Sequence, residues 1–214
     1  MVQLFFQLLH AELSTKMRTH EGQAKSIKPV QFQQVLNHTM THSKYPLRDV
    51  AILQVSYRMG LRAMEIAALS LSDIINKNGD MNQQVALRKK TTKGSRGGVA
   101  YLTHADLRAA LDIYIVEVRS KIVTEHDNIF ISRKSTPFSA SSMSRLFTKL
   151  YRDAGYIGCT GHTGRKSLAC NLNAQNVSLY NIQQILRHSS IQTTVNHYLR
   201  VDEETLANIV GNAV

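Results

Sequence analysis

The sequence predicts a mainly α-helical fold carrying a small three-stranded antiparallel sheet, an α+β arrangement. Three observations predict it. Apolar residues recur at helical spacing along much of the chain, most clearly at Met143, Leu146, Phe147 and Leu150, which fall at i, i+3, i+4 and i+7. Between Asp73 and Leu102 that period gives way to short apolar runs separated by turn residues. The chain has 214 residues, 43% apolar and 19% charged, a globular composition of a size that suits one domain.

The elements follow in order. Val2, Phe5, Phe6, Leu9, Leu13 and Met17 line one face of a leading helix. A polar, partly basic stretch, Glu21 to Lys28, precedes Pro29, and Pro suits the first turn of the next helix. The chain therefore divides into residues 1–28, an amphipathic helix and basic linker, and residues 29–214, the main domain. Helices are expected from Val30 to about Thr39, from Pro46 to Met59 with Gly60 as its stop, and from Arg62 to Leu69. Asp73-Ile74-Ile75 leads into a tight turn marked by Asn78-Gly79. Gln84–Arg88 and Gly98–Leu102 flank a second turn rich in Lys, Gly and Ser, and these three runs make the expected three strands. His104 to Ser120 is again helical, and Ile129-Phe130-Ile131 is a short apolar run before a Ser-rich loop. A helix over residues 142–153 stops at Gly155. Thr160 is placed to cap a helix from about His162 to Ala174, and Ser178 another with Ile182, Ile185 and Leu186 as its core stripe. A short helix near Ile191–Arg200 and a tail from Asp202 to Val210 complete the chain.

Composition narrows the function. No apolar run approaches the length of about 18 residues that a membrane span needs, and the N-terminal apolar stretch lacks the basic start of a signal peptide. Two cysteines, Cys159 and Cys170, do not make a disulfide scaffold and fit a reducing, cytoplasmic setting. Lys and Arg number 26 against 15 Asp and Glu, a formal charge of +11. Such an excess calls for a polyanionic partner, and nucleic acid is the first candidate.

Four segments carry candidate chemistry. Arg88 to Gly98 holds five cations and includes Lys93 on a Gly-rich turn, where a compact ammonium can reach a phosphate. His162-Thr163-Gly164-Arg165 puts His and Arg on one face at a helix start, which favours an anion. Leu186-Arg187-His188-Ser189-Ser190 ends one helix, and Tyr198 follows on the next. Gly60-Leu61-Arg62 with Glu65 opens a short helix with an Arg/Glu pair at i, i+3. Taken singly, each has a plain structural reading: a solvated hairpin tip, a chance His-x-x-Arg, a core tyrosine, a helix-surface ion pair. No carboxylate cluster with metal-ligand spacing occurs, and Cys159-x-x-His162 lacks further ligands, so neither metal nor cofactor is expected.

In this order the four segments resemble the tyrosine recombinase (phage integrase) family over about residues 29–200. Gly60-Leu61-Arg62-x-x-Glu65-x-x-x-Leu69 is similar to its first arginine box, Thr92 to Leu102 to its lysine hairpin, and His162-x-x-Arg165 with Leu186 to Thr194 to its second box. The chain departs from the usual pattern at Arg187, where Gly is common, at Lys166, where His is frequent, and at Tyr198, one residue beyond the usual spacing. It also appears as a catalytic domain without an N-terminal core-binding domain, like the short fimbrial-switch recombinases. The resemblance implies a site-specific DNA recombinase whose catalytic residues are Arg62, Lys93, His162, Arg165, His188 and Tyr198. Glu65 is expected to buttress Arg62 or a neighbouring stretch of backbone rather than to do chemistry. The resemblance further implies double-stranded DNA as partner, a homo-tetramer on paired sites, no membrane partner, and a prokaryotic cell or its phage or mobile element as the setting. The alternatives are a relaxing topoisomerase of the same chemistry and a non-catalytic DNA-binding regulator on the same fold.

Overall fold

The computed structural model describes residues 24–88, 97–122, 124, 126–198 and 211. The described helices are α1 (Pro29–His42), α2 (Pro46–Met59), α3 (Ala63–Ala68), α4 (Leu71–Ile74), α5 (Ala105–Glu117), α6 (Ala140–Asp153), α7 (Thr163–Ala174), α8 (Leu179–Leu186) and α9 (Ile191–Tyr198). Strands β1 (Gln84–Leu87) and β2 (Gly98–Tyr101) pair antiparallel, with Val85 opposite Ala100 and Leu87 opposite Gly98. The leading helix expected over residues 2–17 and the tail over residues 202–210 lie outside the described residues.

The mainly helical reading is correct, and the strand count is corrected: the described sheet has two strands, not three. The reason lies at Ser70. Its hydroxyl accepts from the Asp73 N–H at 3.3 Å, while the Asp73 carboxylate accepts from the Ser70 N–H at 2.8 Å. This reciprocal capping box turns Leu71–Ile74 into one helical turn. The Asn-Gly turn forms, with Gly79 in the left-handed region at φ 88°, but it joins only a single bridge, Ile75 to Met81. Ile129, Phe130 and Ile131 are buried and likewise make single bridges at their flanks rather than a strand.

Helix α2 is the axis of the domain. It begins with Pro46, ends at Gly60 in the left-handed region, and buries residues around its whole circumference. Helices α1, α5 and α7 pack on it. Phe32 of α1 stacks on Tyr57 at 3.7 Å between ring centroids, and the Tyr57 hydroxyl accepts from the Asn171 amide of α7 at 2.7 Å. At the other end of α2, Arg48 pairs with Asp49 at 2.8 Å and lies over the Tyr45 and Phe138 rings. Both charges are buried, so each depends on the other for solvation.

Residues 24–28 are laid on this domain. The Lys25 N–H reaches the Gly158 carbonyl at 3.4 Å, and the buried Ile27 donates its N–H to Ser167 Oγ at 2.9 Å. A second, smaller apolar cluster joins Ala169 of α7 to Ile182 and Leu186 of α8.

Helices α7 and α2 approach each other closely at Gly164. A Cβ added at Gly164 would collide with the Ser56 hydroxyl and come within 2.9 Å of the Ser56 carbonyl carbon. Backbone does not yield as a side chain does, so Gly164→Ala is expected to lower stability by about 2 kcal/mol. A shift of the urea unfolding midpoint measures it; an unchanged midpoint would mean that the two helices separate without cost.

Candidate active site

Arg165 stands in the first turn of α7 and is 2% exposed. Its Nη1 donates to the Gly60 carbonyl at 2.6 Å, and its Nη2 donates to the Leu186 carbonyl. Gly60 and Leu186 end α2 and α8, where carbonyls lack helical partners and the helix dipole favours a cation. One guanidinium therefore ties two helix C-termini together. Arg62 and His188 follow those two tied termini in the chain.

Arg62 caps α3, and Glu65 holds it twice. The Arg62 backbone N–H donates to Glu65 Oε2 at 2.8 Å, and its guanidinium donates to Oε1, also at 2.8 Å. Glu65 is buried, whereas the Arg62 side chain keeps 19% of its surface exposed. The expected buttressing by Glu65 is thus present. A second arginine shares this carboxylate: Arg187 Nη2 donates to Glu65 Oε2 at 3.1 Å.

His162 is exposed at the N-cap of α7, and its backbone N–H donates to the Thr160 hydroxyl at 3.3 Å. The expected Thr160 cap is shifted here, since Thr163 Oγ1 accepts the Thr160 N–H at 2.9 Å. His188 is half-buried just beyond α8. Its Nδ1 and the Thr194 hydroxyl of α9 are 2.9 Å apart, the direction of that bond depending on the imidazole tautomer. Its backbone is pinned by Gln183, whose carbonyl accepts the His188 N–H at 3.1 Å and whose amide donates to the His188 carbonyl at 3.1 Å.

Helix α9 reaches Tyr198 and packs against α8 and α7, the helices that carry His188 and Arg165. The Tyr198 side chain lies outside the described residues, and so does Lys93. The strands flanking the Lys93 turn are described, and the hairpin base is anchored by Arg88, which donates to Ser70 Oγ at 3.0 Å and lies 3.5 Å from Asp73.

Two contributors went unassigned in the sequence. Thr194 was part of a motif, but its buried bond to His188 needs the α8–α9 packing to exist. Arg187 registered only as a departure from Gly. A third feature is the outer face of α6, where Arg145, Lys149 and Arg152 line a shallow open groove with Ser141, Ser144 and Thr148. Its signal was legible, since these cations lie off the apolar stripe.

Among the described residues, no group of three or more His, Cys, Asp or Glu side chains is arranged to hold a metal ion. Cys159 is buried, and burial raises its thiol above the usual range, which keeps it unreactive. No helix among the described residues is long and apolar enough to cross a membrane.

Comparison with known proteins places this geometry. Residues 25–205 match the model of the phage integrase family. Transposase A from transposon Tn554 of Staphylococcus aureus is 25% identical over 200 residues, 90% of this chain and 53% of that protein. The tyrosine recombinase XerC of Thermodesulfovibrio yellowstonii is 29% identical over 164 residues, 76% of this chain and 53% of that protein. The chain thus spans about half the length of the curated relatives it matches. The crystal structure of XerA recombinase shares the fold, with a TM-score of 0.72, 21% identity, and coverage of 91% of this chain and 67% of that one. The family match spans most of the sequence and takes in both arginine boxes, the hairpin and the α9 tyrosine, so this chain belongs to the phage integrase family, the tyrosine recombinases.

Proposed function

We propose that this protein is a site-specific DNA recombinase that cleaves and rejoins DNA strands through a 3′-phosphotyrosine intermediate. The observation that carries this reading is the Arg165 tie. It joins the end of α2, which leads into Arg62, to the end of α8, which leads into His188, in a chain of net charge +11. The basic groove on α6 adds a surface suited to flanking phosphates.

In this mechanism the Tyr198 hydroxyl oxygen attacks the scissile phosphorus. A P–O bond to tyrosine forms and the P–O5′ bond breaks. The tyrosine proton passes to a base, with His162 and His188 as the candidates, and Lys93 protonates the leaving 5′-oxygen. Tyrosine ordinarily ionises near pH 10, so surrounding cations must favour its anion. Arg62 presents its planar fork to the non-bridging oxygens, where negative charge builds in the transition state, and Arg165, whose two Nη atoms hold the Gly60 and Leu186 carbonyls, adds its positive charge from behind. Attack by the 5′-hydroxyl of another strand reverses these steps and conserves the ester, so no nucleotide cofactor is consumed.

The same reading gives residues 1–28 the role of an amphipathic helix and basic linker ahead of the catalytic domain. It also gives the working form four protomers on two paired sites. The setting is the cytoplasm of a prokaryotic cell or of the host of a phage or mobile element.

Four expectations test it. Incubation with a library of nicked duplexes of randomised sequence, followed by denaturing recovery and sequencing, should yield a covalent protein–DNA adduct and define the site. Tyr198→Phe should abolish that adduct while leaving DNA binding intact; an adduct formed by the Phe variant moves the nucleophile elsewhere. Lys93→Ala should slow cleavage, and a 5′-bridging phosphorothiolate, whose sulfur leaves without a proton, should restore most of the rate. Rescue at Lys90→Ala instead would transfer the role to Lys90. Finally, Arg62→Lys and Arg165→Lys should each cost about a hundredfold or more in cleavage. Only Arg165→Lys should also lower the melting temperature, because only that guanidinium bridges two helix ends. Equal melting temperatures for the two variants would remove the structural half of the Arg165 assignment.

A further inference from the structure

Arg187 is the least expected residue of the site. It ends α8 with φ 54° and ψ 45°, the left-handed region that glycine enters freely and other residues enter with strain. The His188 N–H returns to the Gln183 carbonyl at 3.1 Å, which completes the turn that normally places glycine here. A strained arginine at such a position persists where its side chain is held by its surroundings.

Three contacts hold it. Nη2 donates to Glu65 Oε2 at 3.1 Å, Nη1 donates to the Ile185 carbonyl at 3.0 Å, and the aliphatic stem lies across Gly98. A Cβ built on Gly98 would fall 2.6 Å from Arg187 Cδ and 3.2 Å from Cγ, so only glycine at 98 leaves room for the stem. Gly98 opens β2 opposite Leu87, at the base of the hairpin that carries Lys93. Glu65 in turn is the carboxylate that holds Arg62.

On the recombinase reading above, we propose that Arg187 is a positioning residue that sets the Arg62 guanidinium and the base of the Lys93 hairpin relative to each other. Two guanidinia share one buried carboxylate. Arg187 draws on Oε2, which also accepts the Arg62 backbone N–H, and the Arg62 side chain is held at Oε1. Without Arg187 the carboxylate turns fully to Arg62 and draws its fork back from the substrate phosphate. The hairpin base also loses the stem that stops its inward movement. Burial lowers the Arg187 pKa and the facing Glu65 opposes that shift, in keeping with an ion pair closed off from water.

The test uses the full chain and the duplex recovered with the wild-type protein. Arg187→Gly relieves the backbone strain, so the variant should fold. Its DNA affinity should stay within about twofold, while single-turnover cleavage at saturating DNA falls by about tenfold to a hundredfold, the scale of a misplaced catalytic group. Gly98→Ala, which displaces the stem and keeps the charge, should slow cleavage in the wild-type background and have no further effect in Arg187→Gly. A 5′-bridging phosphorothiolate should recover part of the loss in Gly98→Ala, because that leaving group bypasses Lys93. Cleavage by Arg187→Gly at the wild-type rate overturns the proposal, as does an equal penalty from Gly98→Ala in both backgrounds. A wild-type protein that forms no adduct with any duplex overturns the recombinase reading itself, which separates the two failures.

Discussion

The structure depends on one buried guanidinium. Helices α2 and α8 end close to each other, and their terminal carbonyls present two negative dipole ends to the same small volume. An apolar side chain would leave those carbonyls unsatisfied, at a cost of about 1–3 kcal/mol for each such group. Arg165 satisfies both with one planar fork, which no lysine can do. Its own placement relies on the close approach of α7 to α2 at Gly164, directly before it in the chain. Packing thus places the cation, and the cation places the chain segments on either side of it.

Charge then organises what lies around that point. Two guanidinia, those of Arg62 and Arg187, share a single carboxylate, Glu65. The imbalance leaves an excess of positive charge, which the proposed phosphodiester substrate would offset. Glu65 also accepts the Arg62 backbone N–H, so the same side chain that orients the arginine starts the helix after it. Local helix capping and site geometry are here a single arrangement of atoms.

Much of this was legible in the residues. Pro46 and Gly60 bracketed α2 because proline fits a first turn and a left-handed glycine ends a helix. The α6 stripe and the Ser178 cap were equally local signals, and the Ser178 hydroxyl accepts the Asn181 N–H at 3.3 Å as expected. The third strand failed because Ser70 and Asp73 made a capping box, a pairing of side chain and backbone that outweighed the β-branched Ile74 and Ile75. Arg165 was read as a fork facing substrate, and its burial was invisible because the two carbonyls it binds lie 105 and 21 residues away in sequence. Arg187 was hidden for a like reason. Its partners Glu65 and Gly98 meet it only after tertiary packing, and sequence rules assign its backbone conformation to glycine.

That separation of 105 residues between Arg165 and Gly60 also governs the order in which the molecule is made. On the ribosome, α2 emerges long before its cation does, and α8 and α9 emerge later still. Closing so long a loop has an entropic cost that only the completed packing of α7 on α2 offsets. The tie between α2 and α8 is therefore among the last features to appear during synthesis. A chain interrupted before α8 carries Arg165 without the second helix end that its guanidinium joins.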